Sequence, residues 1–191
     1  MKRLIFIALA AALLLCSCSS ASTTKRDANS CAKMLVAGEE LFLACVEEME
    51  KFGEDRLYVA MEAKEVKEGE EPQPPRLVSY PKESEERTEI ENETLERALT
   101  EFGFKLIFFQ TAGNSRRSVI FSFSKEGDSG IQNGIYYSYD TLPCAWWGRN
   151  SDLVKKHGRW LQIDRSGNAA YYTLALSEYF YYFEKYGDLR A

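Results

Sequence analysis

Over residues 30–51 and just beyond, the positions Cys31, Leu35, Gly38, Phe42, Cys45, Met49 and Phe52 recur at spacings of four and three, which lines one face of a helix over 30–51. Asn29 or Ser30 can cap its start and Gly53 can end it. Gly38 lies on the apolar stripe, which predicts a close approach by a second element. Glu39, Glu40, Glu47 and Glu50 fall on the opposite face and read as a solvated surface rather than a metal site. Residues 56–62 then alternate, with Leu57, Val59 and Met61 on one side, and predict a strand. A charged loop closed by Pro72, Pro74 and Pro75 leads to a short strand over 76–80. After the highly charged stretch 82–91, Leu95, Ala98, Leu99 and Phe102 predict a second helix over 92–102, stopped by Gly103.

From residue 105 the period changes to two. Residues 105–111 and 116–125 flank Ala112-Gly113-Asn114-Ser115, a hairpin signature with a four-residue loop. Residues 127–134 read as a glycine-rich turn, 135–140 as a strand and 141–158 as an irregular segment. A second hairpin is predicted from 159–164 and 169–173 across Arg165-Ser166-Gly167-Asn168. Leu176, Tyr179, Phe180, Phe183 and Tyr186 sit at helical spacing and predict a closing helix over 176–186. The expected fold class is therefore α+β. An antiparallel sheet carries an N-terminal helix, a middle helix and a C-terminal helix, all in one domain over 30–191.

The first 29 residues follow a different logic. Met1-Lys2-Arg3 is a short positive head, and residues 4–15 carry no charged or polar side chain. This is the pattern of a secretory signal, and the apolar run is short of the roughly 20 residues that span a bilayer. It runs into Leu15-Cys16-Ser17-Cys18-Ser19-Ser20. The segment resembles the signal peptide of bacterial lipoproteins, with Leu15 three residues before Cys18 and the small Ser17 just before it. Cys16 departs from that pattern in the middle position. The resemblance covers about the first 20 residues and implies a signal peptide over 1–17, acylation of Cys18 and an extracytoplasmic, membrane-anchored location. Residues 18–29 then form a polar tether rich in Ser and Thr. Each buried acyl methylene contributes about 0.8 kcal/mol, so a multiply acylated cysteine holds a protein stably on a bilayer.

Of 191 residues, 174 remain once 17 are removed, a length that suits one domain. The formal net charge is −5 for the whole chain, with Lys2 and Arg3 included. An acidic balance carries no electrostatic footprint for nucleic acid, and it leaves membrane association to the acyl anchor. Cys31 and Cys45, 14 residues apart on one helix, would lie about 21 Å from each other. That is too far for a disulfide. Pairing of Cys144 with either stays open, and all three also serve as small buried apolar residues.

No catalytic residue, metal ligand set or cofactor is nominated by the sequence. His157 is the single histidine, and neither it nor Cys144 sits in a nucleophile motif. Asp128-Ser129-Gly130 and Asp164-Arg165-Ser166-Gly167-Asn168 lack the acids of a calcium loop and read as turns. The remaining signal is aromatic. All three Trp and nine of the eleven Tyr follow residue 134. Tyr139, Trp146 and Trp147 are the candidate ligand-binding residues, because Tyr and Trp join an apolar face to a polar tip. Rings on a sheet face, such as Tyr172, Tyr179, Phe180 and Phe183, serve equally as core. Residues 30–191 carry no motif of a characterised family. The expected function is non-catalytic recognition of a protein, peptide or glycan at the cell envelope. An envelope hydrolase and a purely structural lipoprotein are the alternatives.

Overall fold

Asp27 opens the first helix, α1 (Ala28–Lys51), by accepting a hydrogen bond from the Ser30 N–H at 2.8 Å. The carboxylate of Asp27 is held below its usual range, first by that bond and next by the Ser30 side chain. Gly53, at φ 70°, lets the chain turn back toward the sheet. The computed structural model describes residues 26–63, 71, 73–81, 84, 86–112, 116–125, 131–138, 148–156, 159–164 and 169–186. A second helix, α2 (Glu93–Glu101), is capped by Asn92, whose Oδ1 accepts from the Leu95 N–H at 3.0 Å. The described residues also form ten strands: β1 (Arg56–Glu62), β2 (Arg76–Pro81), β3 (Thr88–Glu89), β4 (Leu106–Ala112), β5 (Arg116–Ser122), β6 (Ile131–Ser138), β7 (Gly148–Lys156), β8 (Arg159–Asp164), β9 (Ala170–Ala175) and β10 (Phe180–Tyr186).

All ten strands join one sheet in the order β3-β2-β1-β4-β5-β6-β10-β9-β8-β7, and every assigned pairing is antiparallel. The three-helix arrangement expected from the sequence is thereby overturned. The segment 176–186 is no closing helix: β10 lies between β6 and β9, with Phe180 opposite Tyr137 and Tyr186 opposite both Ile131 and Ala170. The helical spacing misled because the strand is buried on both faces. Phe180 and Tyr182 pack on one side, and Tyr181 and Phe183 on the other. A continuous apolar run of this kind has no readable period, and aromatic side chains favour strands. Likewise, residues 148–156 of the segment read as irregular form β7, with a register shift against β8 between Gly148 and Leu153. The turn expected over 127–134 gives way to strand from Ile131 onward.

Both helices pack on one face of the sheet. There Cys31, Leu35, Phe42, Cys45 and Met49 of α1 and Leu95, Ala98 and Leu99 of α2 meet Leu57, Val59, Ile107, Phe109, Val119, Phe121 and Phe180. Phe42 is the centre. Its ring stacks on Phe102 at 5.0 Å and meets Phe121, Phe104 and Phe180 edge-on at 4.9, 5.8 and 5.8 Å. Burying such a ring contributes about 1.5–3 kcal/mol, and favourable ring pairs add to it. Gly38 explains itself here: a Cβ would lie 2.3 Å from the tip of Phe102, and the helix leaves regular geometry at this residue (φ −136°, ψ 22°). The opposite sheet face is also buried, in one cluster around Tyr58, Val78, Tyr80 and Phe108 and another around Tyr136, Tyr171, Tyr181 and Phe183, both touching Ile120.

Candidate functional site

The described surface is indented where the sheet edge meets the start of α2. The cleft there, about 520 Å³, is formed by residues 73–77 leading into β2, by the end of β3 and by the first turn of α2. Pro74, Pro75, Leu77 and Ile90 supply its apolar lining, and Glu89, Glu91, Glu93 and Glu96 its carboxylates. The local sequence explains the shape. Pro74 and Pro75 offer no N–H to extend the ladder, so β2 begins only at Arg76. The two-residue β3 covers only Val78 and Ser79, after which the Ile90 N–H donates to the Leu77 carbonyl at 3.0 Å. Glu93 and Glu96 occupy the first turn of α2, where negative charge is favoured by the helix dipole.

Arg76 is the cation among the described residues of this cleft. Its Nη1 reaches Glu89 Oε2 at 3.3 Å, while its buried Nε has no acceptor. The wall behind is firm. Asn92 caps α2 and donates from Nδ2 to Glu48 Oε2 at 2.8 Å, and Lys51 reaches Glu48 Oε1 at 2.5 Å. These two bonds, Lys51 first, hold the Glu48 carboxyl below its usual range. The Cys45 thiol donates to the Thr94 carbonyl at 3.5 Å, tying α1 to α2.

A second polar cluster lies in the core. Glu184, 2% exposed, accepts from Tyr182 Oη at 2.8 Å through Oε1 and from Tyr186 Oη through Oε2. Tyr182 Oη and Asn133 Nδ2 also lie 3.1 and 2.5 Å from the Arg26 carbonyl, at the entrance to α1. Burial, and then the bond to Glu184, push the Tyr182 hydroxyl above its ordinary pKa. The signal for this cluster is Tyr182, Glu184 and Tyr186 at alternate positions, which share a face only if the segment is a strand. Reading it as a helix hid the site. The cluster is buried and braces the first turn of α1, so the open cleft is the better place for an external ligand.

Cys18, Tyr139, Trp146, Trp147, Cys144 and His157 lie outside the described residues. Trp160 enters β8 opposite Lys155 of β7. Cys31 and Cys45 are fully buried free thiols, and burial raises each to a pKa of about 12. Among the described residues, no group of three or more His, Cys, Asp and Glu side chains is placed to hold a metal ion. Nor, among them, is any helix long and apolar enough to cross a membrane. The class defined by these features is an antiparallel ten-stranded sheet with two helices on one face and a cleft at one sheet edge. No protein-family profile matches the chain, and no curated protein or solved structure matches it either.

Proposed function

We propose that this chain is an extracytoplasmic protein, acylated at Cys18, whose folded domain binds a peptide or glycan segment of an envelope partner. The observation that carries the binding reading is the sheet-edge cleft, in which Pro74, Pro75, Leu77 and Ile90 adjoin Arg76 and four carboxylates. An apolar lining with a few polar groups beside it suits an occupant that has both apolar and hydrogen-bonding parts. A peptide segment and a glycan segment both have them. The cleft is open at its side, which suits a segment of a polymer better than a small molecule that must be enclosed.

The test is site-specific photocrosslinking in cells from Ile90 in the cleft and from Glu47 on the exposed face of α1. Recognition at the cleft predicts an adduct of defined mass from position 90, absent from position 47 and lost when Arg76→Leu is added. Identical adduct patterns from the two positions, or none from position 90, would refute it. Tyr139, Trp146 and Trp147 are proposed as a second contact. Alanine at each, with binding and melting temperature read together, separates a contact from a core ring.

A further inference from the structure

The chain enters its folded domain at a closely held point. The carbonyl of Arg26 accepts from Asn133 and lies 3.1 Å from the Tyr182 hydroxyl oxygen, and its guanidinium lies over the Phe123 ring, 4.8 Å from the centroid. Gly103 sits against the same guanidinium. The loops after α2 and after β5 therefore gather around the entry point, and the Lys105 N–H ties them together by donating to the Ser122 carbonyl at 2.8 Å. Their cations come with them. Lys105 and Lys125 are exposed, and Lys33 is exposed on the second turn of α1, close enough to Asp27 to lower its pKa. The described carboxylates nearby are largely engaged. Asp27 caps α1, Glu184 is buried between two tyrosine hydroxyls, and Glu101 pairs with Arg97 at 2.9 Å. The other half of α1 and its exit carry the opposite sign, with Glu39, Glu40, Glu47, Glu54 and Asp55 all exposed.

We infer that the end of the domain bearing Arg26, Lys33 and Lys105 faces anionic lipid headgroups and orients the anchored domain end-on to the bilayer. The inference rests on the anchor reading at Cys18. Arg26 lies eight residue steps after Cys18, so the entry point lies within about 28 Å of the acylated cysteine however the tether runs. Glu48, beside the cleft residue Asn92, lies 22 residues further along α1, or roughly 30 Å away. The basic end is thus held at the surface, while the acidic half and the cleft project from it. A bilayer bearing negative charge attracts the first and repels the second. The chain as a whole is acidic, and this polarity orients a domain that the acyl group has already delivered.

The experiment uses the mature acylated protein in vesicles of phosphatidylcholine alone and of phosphatidylcholine mixed with phosphatidylglycerol. A short pulse of an amine-acetylating reagent is followed by peptide mass spectrometry. Lys33 and Lys105 are expected to react on the order of fivefold more slowly on the mixed vesicles, since each basic group near such a surface gains about that factor. Lys51, on the other half of α1, should react equally on both. Molar salt should abolish the difference by screening, and Lys33→Glu should weaken protection at Lys105. Equal reactivity of Lys33 and Lys105 on the two vesicles overturns the inference. So does equal protection on both, which reports contact between copies of the protein. The same digests show the Cys18 peptide. An unacylated N-terminus sinks the anchor reading and this inference together, whereas an acylated one without lysine protection sinks the inference alone.

Discussion

Raising the pH from 8 to 10 should destabilise the folded chain through two thiols that never meet water. Cys31 and Cys45 are both 0% exposed, and burial is the leading cause that raises each from 9.0 to about 12. Near Cys45 the charge of Glu48 pushes in the same direction. The folded chain therefore keeps both protons through a range in which the unfolded chain releases them. The stability they carry is whole below pH 9 and falls as pH rises toward 12. Integrated over the two groups, the loss between pH 8 and pH 10 is at most about 3 kcal/mol. For a chain of this size that lowers the melting temperature by about 5–11 °C. The assay is thermal unfolding followed by far-ultraviolet circular dichroism, comparing the native chain with Cys31→Ala/Cys45→Ala. Alanine costs stability by removing two buried sulfurs, but that cost is independent of pH. The slope difference between the two proteins isolates the thiols from tyrosines such as Tyr182, which also lose stability as pH approaches and passes 10 but do so equally in both proteins. Equal slopes, or rapid thiol labelling of the folded protein at pH 8, would refute the reasoning.

Gly134→Ala should cost more than about 3 kcal/mol in urea unfolding, because the new Cβ would lie 2.1 Å from the Phe121 carbonyl oxygen, which only strand separation relieves. Gly38→Ala meets the ring tip of Phe102, a half-buried side chain rather than backbone, so it should be the milder change. The opposite ranking would sink the packing argument. Phe42→Ala should lose about 3–5 kcal/mol by the same measurement, as the ring joins four others. Glu184→Ala should be clearly worse than Glu184→Gln, since Ala removes the buried oxygens that accept from the Tyr182 and Tyr186 hydroxyls, a loss of about 1–3 kcal/mol, while Tyr182 keeps the Arg26 carbonyl within reach. Gln keeps an oxygen and offers an N–H, and equal melting temperatures for the two variants would contradict this network. Cys18→Ser should move the protein from the membrane to the soluble fraction, and retention at the membrane would remove the anchor reading.

The sequence by itself determined the elements whose information is local. Both helices were legible because their apolar positions follow one period and glycines end them, Gly53 and Gly103, both at positive φ, whereas the cap of α1 is Asp27 and not the expected Asn29 or Ser30. The hairpins β4–β5 and β8–β9 were legible because alternation brackets turn residues. Gly38 announced a close neighbour, though not that the neighbour would be Phe102. The tertiary structure alone decided what depends on pairing across the chain. Residues 180–186 become a strand because they lie between β6 and β9, where both faces are covered and the period that marks a half-buried element disappears. That placement puts Glu184 between two tyrosine hydroxyls, which no helical reading allows. The cleft is equally non-local. Its parts come from β2, β3 and α2, and each reads separately as a proline loop, a charged stretch or a helix start. The basic end is assembled from residues 26, 33 and 105, scattered among acids along the chain. Periodicity reports how one segment meets its surroundings, whereas a site is a set of segments that meet one another, and sheet order sets which ones meet.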